Sequence, residues 1–342
     1  MKKILVSILF LFSTLSYGLF DLSSKPECID GKILQNRNGL IYLPNETKPF
    51  SGFVCTYYEN TQKKFEFSLK NGVVDGKIIG WYENGQIKSE KPYIGGRLNG
   101  KSTGWYENGQ KSIEIIYKNG LQNGIATIWY KNGQKENERN YENDQLNGKV
   151  IGWYKNGQKG GEGNYKNGKL DGKTFGWYEN GQMKIDHNYK DGKLDGKAIF
   201  WFEDGRMSSI TNFKDDKRNG KETFFYDNGI KEKEVDYKNN KRHGKEVMWY
   251  ENGKKRVEGN YKNGFLDGKL IGWYENGQKR SEGNYKNNKL NGKYTSWYKN
   301  GKKQKEFYYK NGKLNGKYTS WFEDGSTIEG YYKDGVFFKT TK

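Results

Sequence analysis

The sequence is poor in the residues on which most enzyme and metal sites depend. Its 342 residues include two cysteines, two histidines and four prolines. His187 and His243 lie far apart, each at an ordinary position of a repeat, so we expect both to be exposed variants rather than ligands or bases. No Ser/His/Asp or Cys/His arrangement stands out. The sequence therefore predicts no enzyme, no metal site and no cofactor.

Long apolar runs are also lacking beyond the start of the chain, and hydrophobic residues make up 33% of it. Lys2 and Lys3 precede an apolar run over residues 4–12, and small residues follow at 16 and 18. This pattern predicts a secretory signal peptide over residues 1–18, too short for a spanning helix. Leu19 offers no thiol for a lipid anchor. We expect an exported, soluble protein of the periplasm, cell surface or exterior.

The two cysteines, Cys28 and Cys55, both precede the repeats. An even pair in an exported chain favours a disulfide over a metal site or catalytic thiol. Two unpaired buried thiols are the alternative.

What the sequence has in abundance is repetition with a period of 24 residues. The ten tryptophans all fall in one phase of that period: Trp81, Trp105, Trp129, Trp153, Trp177, Trp201, Trp249, Trp273, Trp297 and Trp321. A second aromatic ladder lies twelve residues behind, from Tyr93 to Tyr309. Such self-similarity indicates stacked supersecondary units. We predict a lead-in over residues 19–55 and a repeat array over residues 56–342.

Each unit reads as strand, turn, strand, turn. The run from Lys77 to Tyr82 enters Asn84-Gly85, a pair that tolerates the positive φ of a tight hairpin turn. Two turns in 24 residues leave no room for a helix. The predicted fold is all-β, an elongated single-layer antiparallel meander of about twelve stacked 24-residue β-hairpin repeats. We expect the Trp81, Tyr93 and Leu98 ladders to share one face.

The units GWYENGQ and EGNYKNGKLDGK, and the lead-in NGLIYLPNETKPFSG over residues 38–52, resemble the bacterial variant of the MORN repeat. This resemblance covers nearly the whole chain after the leader and implies an extended array of β-hairpins. Similar bacterial proteins are often labelled antitoxins of toxin–antitoxin systems. The repeat's name, membrane occupation and recognition nexus, records a proposed membrane role. Neither implication is tied to particular residues here.

One segment matches the phosphate-loop pattern by accident. Residues 95–102 read GGRLNGKS, but Thr103 and the residues after it begin another repeat strand. Because the phosphate loop needs a following helix, we exclude a nucleotide site.

The net charge of +19 indicates how this surface could bind. Lysines recur after the turn glycines, at Lys77, Lys101, Lys149, Lys173, Lys197, Lys221, Lys245, Lys269, Lys293 and Lys317. They either keep a thin ribbon soluble or form a basic track. We predict a non-enzymatic, exported surface for a protein, an anionic polymer or a membrane surface. Nucleic acid is a poor partner for an exported chain, and no oligomeric state follows.

The alternative function is an antitoxin or immunity-type protein that neutralises a partner by docking along the ribbon.

A candidate binding patch lies where two repeats depart from the consensus. The usual leucine becomes Arg218 and Arg242, and arginine offers a planar fork for carboxylate or phosphate. We predict that the patch lies on one edge of the sheet, near Phe213 and Phe225. Its residues are Lys217, Arg218, Lys241, Arg242 and His243. The alternative is drift in a tolerant array.

Overall fold

A computed structural model describes residues 27–341. The predicted signal peptide and the first residues of the lead-in lie outside this range. Residues 27–341 contain no α-helix and one 3-10 turn, Gly31–Ile33. No helix in that range has the length and apolar character needed to cross a membrane.

Thirty-one strands account for most of the described chain. Those of the first third are β1 Cys28–Asp30, β2 Gln35–Arg37, β3 Leu40–Tyr42, β4 Gly52–Tyr57, β5 Lys63–Lys70, β6 Val73–Val74, β7 Gly76–Trp81, β8 Ile87–Ile94, β9 Arg97–Leu98, β10 Gly100–Trp105, β11 Lys111–Lys118 and β12 Leu121–Trp129. The middle third holds β13 Lys135–Glu142, β14 Gln145–Trp153, β15 Lys159–Lys166, β16 Lys169–Trp177, β17 Met183–Lys190, β18 Lys193–Leu194, β19 Gly196–Trp201, β20 Met207–Lys214 and β21 Lys217–Phe225. The last third holds β22 Lys231–Lys238, β23 Lys241–Trp249, β24 Lys255–Lys262, β25 Phe265–Trp273, β26 Lys279–Lys286, β27 Lys289–Trp297, β28 Lys303–Lys310, β29 Lys313–Trp321, β30 Thr327–Lys333 and β31 Val336–Thr341.

From β4 onward each long strand pairs antiparallel with the next long strand along the chain, in one 29-stranded sheet that also includes β1. The short strands β6, β9 and β18 come just before β7, β10 and β19 in the chain. Each pairs with the same preceding strand as the longer strand that follows it. Within residues 27–341, β1 pairs only with β4 and β31 only with β30, so the sheet is open. This confirms the predicted all-β antiparallel meander.

The two turns of a repeat differ in geometry. In the first turn, Tyr82–Gln86, Gly85 has φ +85° and Asn84 does not have a positive φ. The Asn84 side chain instead accepts from the Gln86 amide at 3.0 Å. In the second turn, Asn167 and Gly168 have φ 49° and 76°. The positive φ predicted for the first turn is therefore right for Gly85 and wrong for Asn84, whereas both residues of the second turn have it.

The aromatic ladders lie on opposite faces of the sheet. Tyr165 pairs with Leu170, whereas Phe175 lies 6.0 Å from the Trp177 ring. β16 runs from Lys169 to Trp177 with a bulge between Leu170 and Thr174 that adds two residues and so keeps the alternation, and Leu170 and Trp177 are an odd number of positions apart. Side chains alternate along a strand, so these two point to opposite faces. The expected common face is wrong. We call the two surfaces the tyrosine face and the tryptophan face.

Neighbouring repeats are joined at the first turn by a side-chain hydrogen bond. In ten repeats the residue after the tryptophan position is a tyrosine that donates its hydroxyl to the next repeat's tryptophan carbonyl, as from Tyr154 to Trp177 at 2.8 Å. The donors are Tyr58, Tyr82, Tyr106, Tyr130, Tyr154, Tyr178, Tyr226, Tyr250, Tyr274 and Tyr298. We call this contact the inter-repeat tyrosine bond.

The lead-in covers the first edge of the sheet. β1 lies parallel to β4, and a disulfide joins Cys28 to Cys55 with their Cα atoms 5.6 Å apart. β2 and β3 form a separate hairpin. β4 begins at Gly52, so its pairing with β5 crosses the predicted boundary between residues 55 and 56.

Candidate binding surface

Lysines on the tryptophan face are largely neutralised by glutamates. Glu282 lies between Lys269 and Lys279, each with its ammonium nitrogen 2.7 Å from a carboxylate oxygen. Hydrogen bonds from these lysines hold the pKa of Glu282 below its usual value. Lys279 also lies 5.6 Å above the Trp297 ring. The same triad recurs at Lys101/Glu114/Lys111, Lys149/Glu162/Lys159, Lys221/Glu234/Lys231, Lys245/Glu258/Lys255 and Lys293/Glu306/Lys303.

The second-turn edge of the sheet carries lysines that face other lysines. Six hairpins place one exposed lysine directly opposite another: Lys166/Lys169, Lys190/Lys193, Lys214/Lys217, Lys238/Lys241, Lys286/Lys289 and Lys310/Lys313. In the described part of the chain, only Lys214 among these forms an ion pair, with Asp195 at 2.8 Å. Like charges opposite each other destabilise a sheet. We call these twelve residues the lysine edge.

The first-turn edge has the opposite character. The residue after the turn tyrosine or phenylalanine is exposed and acidic in most repeats, at Glu59, Glu83, Glu107, Glu179, Glu203, Asp227, Glu251, Glu275 and Glu323. Lysine occupies the position at Lys131, Lys155 and Lys299. The two edges of the sheet therefore differ in charge.

The predicted patch is divided between two surfaces. Lys217 and Lys241 belong to the lysine edge, whereas the guanidinium groups of Arg218 and Arg242 lie on the tyrosine face. Phe213 pairs with Arg218, as expected. Phe225 lies at the other end of β21, next to the first turn. Its predicted place beside the arginines is therefore wrong.

Each arginine is held by a tyrosine of the next repeat and by a buried glutamate. The Arg218 guanidinium lies 4.2 Å from the centre of the Tyr237 ring and 3.3 Å from Glu222. Arg242 repeats this arrangement with Tyr261, at 4.2 Å, and with Glu246, at 2.9 Å. The positive charges of both arginines are thus compensated within the sheet.

Glu222 and Glu246, the partners of the two patch arginines, are not predicted from the sequence. They are 6% and 2% exposed, and Lys233 lies 3.3 Å from Glu246. Other repeats place Ala126 or Val150 at this position. The signal was available in the sequence, because glutamate replaces the apolar residue in the same two repeats in which arginine replaces leucine.

His243 supports a turn. Its Nδ1 accepts from the Asn263 amide at 3.4 Å. Asp171 and Asn291 accept from the equivalent amides with their side-chain oxygens at 3.1 Å. His243 therefore takes the place of the usual aspartate or asparagine.

His187 is buried, and the expectation that it is exposed is wrong. It is 9% exposed on the tyrosine face and makes an edge contact with the Phe200 ring, 4.8 Å between centroids. Gly163 and Val235 occupy this inward position in other repeats. Burial lowers the pKa of His187, and the nearby Asp186 opposes that shift.

Residues 27–341 show no helix after the phosphate-loop-like segment, whose last residues lie in β10. No group of three or more potential metal ligands occurs among the described residues.

A family model agrees with the repeat geometry. The model described as MORN repeat variant matches residues 74–94, 98–119, 122–143, 170–191, 218–239, 242–263, 266–287 and 290–313, just over half of the chain. The chain belongs to the MORN repeat variant family. Each matched segment of this MORN-variant chain begins near the start of a strand that leads to the tryptophan position and continues into the returning strand.

Other comparisons add little to the family assignment. No curated protein matches the chain. Crystal structures of TcdB2-TccC3-Cdc42 and TcdB2-TccC3 overlap 83% and 86% of it at 10% identity, with TM-scores of 0.18 and 0.16. The chain spans only 18% and 21% of their lengths. Similarity at this level carries no structural or functional argument.

Replacing Arg218 by leucine should destabilise the MORN-variant array, although leucine is the consensus residue. The change leaves Glu222 buried without its cation, which should lower the free energy of unfolding by roughly 2 kcal/mol. The double change Arg218→Leu with Glu222→Val recreates the apolar pair Leu146 and Val150 and should cost less than about 1 kcal/mol. Urea unfolding of both variants measures the difference.

The control is Lys217→Leu, because that side chain is exposed on the lysine edge. Its effect should stay within about 0.5 kcal/mol. Equal stability of the single and double variants would contradict the proposed role of the buried ion pair.

His187 should make the protein less stable in mild acid. Because the pKa of His187 is lowered by burial, the unfolded chain binds a proton first as the pH falls below about 6.5. Stability is therefore highest above that pH and decreases toward the lowered pKa. His187→Val should flatten this decrease in thermal unfolding measured between about pH 7 and 5. His243→Asn is the control and should keep it. Parallel loss of stability in wild type and His187→Val would refute the assignment.

Proposed function

We propose that this MORN-variant protein is an exported, non-enzymatic binding protein whose lysine edge docks on an anionic polymer or lipid surface. The observation that carries the proposal is the set of like-charge pairs, such as Lys286 opposite Lys289. A sheet gains nothing from such pairs in isolation. Phosphate, sulfate or carboxylate groups of a partner would neutralise them.

The charge distribution supports the lysine edge over the tryptophan face. On that face each triad pairs two lysines with a glutamate, as Glu306 pairs with Lys293 and Lys303 at 2.8 and 3.1 Å. A ligand would have to compete with these ion pairs. On the lysine edge, eleven of the twelve lysines carry no ion pair in the described structure, which leaves their charges available.

The repeat spacing supports an extended ligand. Two strand spacings separate equivalent lysines, or about 10 Å per repeat. A polymer or a headgroup layer can contact several such points at once, and each basic residue near an anionic membrane contributes about 1 kcal/mol. Export, as the leader over residues 1–18 indicates, favours cell-envelope polymers and lipids over nucleic acid.

The test uses two variants with the same change in net charge. The edge variant replaces Lys169, Lys193, Lys217, Lys241, Lys289 and Lys313 by glutamine. The matched control replaces Lys149, Lys173, Lys221, Lys245, Lys269 and Lys293, which lie on the tryptophan face. Probes are vesicles with or without phosphatidylglycerol and a soluble sulfated polysaccharide. Co-sedimentation and titration calorimetry at low and high salt measure affinity.

The edge variant should lose more than about a hundredfold in affinity, and the control should lose much less. Wild-type binding should weaken steeply with salt. Equal losses in both variants would show that net charge alone governs binding, and absence of wild-type binding to both probes would reject the proposal. The vesicle and polysaccharide arms separate the two sources of anionic groups.

The alternative, an antitoxin or immunity-type protein that docks along the ribbon, requires a packed protein interface. A complex of this kind should resist high salt and be unaffected by the edge variant.

A further inference from the structure

Among residues 27–341, one step of the array lacks both of the side-chain hydrogen bonds that join neighbouring first turns. At the preceding step, Tyr178 donates to the Trp201 carbonyl and Asn180 to the Glu203 carbonyl, both at 2.8 Å. At the next step the equivalent residues are Phe202 and Asp204. Phenylalanine has no hydroxyl and aspartate has no side-chain amide, so neither hydrogen bond can form.

An open cavity of about 480 Å³ lies at this step. Phe225 adds to the gap, because it stands where ten other repeats have tryptophan. Three aromatic rings and three carboxylates dominate the lining: Phe202, Phe225, Tyr226, Asp227, Glu232 and Glu251. The cavity therefore combines π faces with negative charge.

Three other repeats show a group that can occupy such a position. A lysine lies 5.2 Å above the turn tyrosine in three repeats, in the pairs Lys64/Tyr58, Lys88/Tyr82 and Lys184/Tyr178. At the cavity the residue equivalent to these lysines is Glu232, next to Tyr226. Elsewhere a lysine covers the ring at the tryptophan position, as Lys231 covers Trp249. For Phe225, which stands at that position here, the equivalent residue is Met207. The chain thus supplies neither lysine here.

The nearby arginines do not replace the missing lysines. Arg206 lines the cavity, but its Nε lies 2.9 Å from Asp204, which holds the guanidinium. Arg256 is outside the lining and donates to the Met248 sulfur at 3.3 Å, and its charge opposes the rise in the pKa of Tyr226 that burial causes. The carboxylates outnumber the guanidinium in the lining, so the cavity favours a cation.

We propose that this cavity binds an organic cation, an ammonium or guanidinium group on an apolar body. Aromatic faces attract such groups, most strongly where the site is partly dry, and carboxylates add a Coulombic contribution. The source of the cation is either a free quaternary amine or a lysine or arginine side chain of a peptide. The site lies on the first-turn edge, opposite the lysine edge, and so does not depend on the function proposed above.

Titration calorimetry on the full chain tests the site with three probes. Choline represents a free quaternary amine, acetyl-Gly-Lys-Gly-amide a peptide side chain, and 3,3-dimethylbutanol is the neutral equivalent of choline. We expect at least one cation to bind about tenfold more tightly than the neutral probe. Comparison of choline with the peptide identifies the source. Equal affinity for choline and the neutral probe, with no binding of the peptide, would overturn the proposal.

Two variants locate the binding site. Glu232→Lys restores the lysine of other repeats, so it should fold and should reduce cation affinity by about tenfold or more. Glu136→Lys is the matched control with the same change in charge, since residue 136 occupies the same repeat position beside Tyr130, and it should leave affinity unchanged. Phe202→Tyr supplies the missing hydroxyl and should also weaken binding. Full cation affinity in Glu232→Lys and Phe202→Tyr, with folding confirmed by circular dichroism, would overturn the assignment.

Discussion

The structure depends on hydrogen bonding between consecutive repeats. A single layer of strands has no second layer to pack against, and a two-stranded hairpin is marginal alone. Within residues 27–341 only eight hydrophobic residues are buried, among them Val54, Val235 and Leu266. Stability must therefore come from the backbone pairing of each strand with the next and from contacts such as the inter-repeat tyrosine bond. Each repeat is stabilised by its neighbours, as in other solenoid arrays.

This constraint explains where the chain can vary. Backbone pairing does not depend on side-chain identity, so β21 and β23 keep the register although Arg218 and Arg242 replace leucine. Their ion pairs with Glu222 and Glu246 maintain neutrality on the tyrosine face. At the step between Phe202 and Phe225 the strands still pair, and only the turn-to-turn contacts are lost. The array thus accommodates a cavity there without interruption of the sheet.

The strands and the all-β architecture could be predicted because they follow from period, turn residues and strand composition. The faces could not be assigned correctly because the sequence does not give the register across each turn. In the structure β16 continues through Asp171 and Gly172, and the register places Leu170 and Trp177 on opposite faces. The placement of the candidate patch was predicted wrongly for a related reason. Arg218 was considered with its sequence neighbour Lys217, whereas its partners are Glu222, four residues along the same strand, and Tyr237 on the neighbouring strand. The lysine edge could not be predicted without the strand register, because only the pairing shows that Lys166 lies opposite Lys169.

The central claim is that the repeats form one extended sheet held by contacts between neighbours. Small-angle X-ray scattering of the monomeric protein tests it most directly. A globular protein of this length would have a radius of gyration of about 20 Å. An open sheet with about 4.8 Å between strands should give a rod-like profile and a radius of gyration above ~30 Å. A compact profile near the globular value would contradict the account.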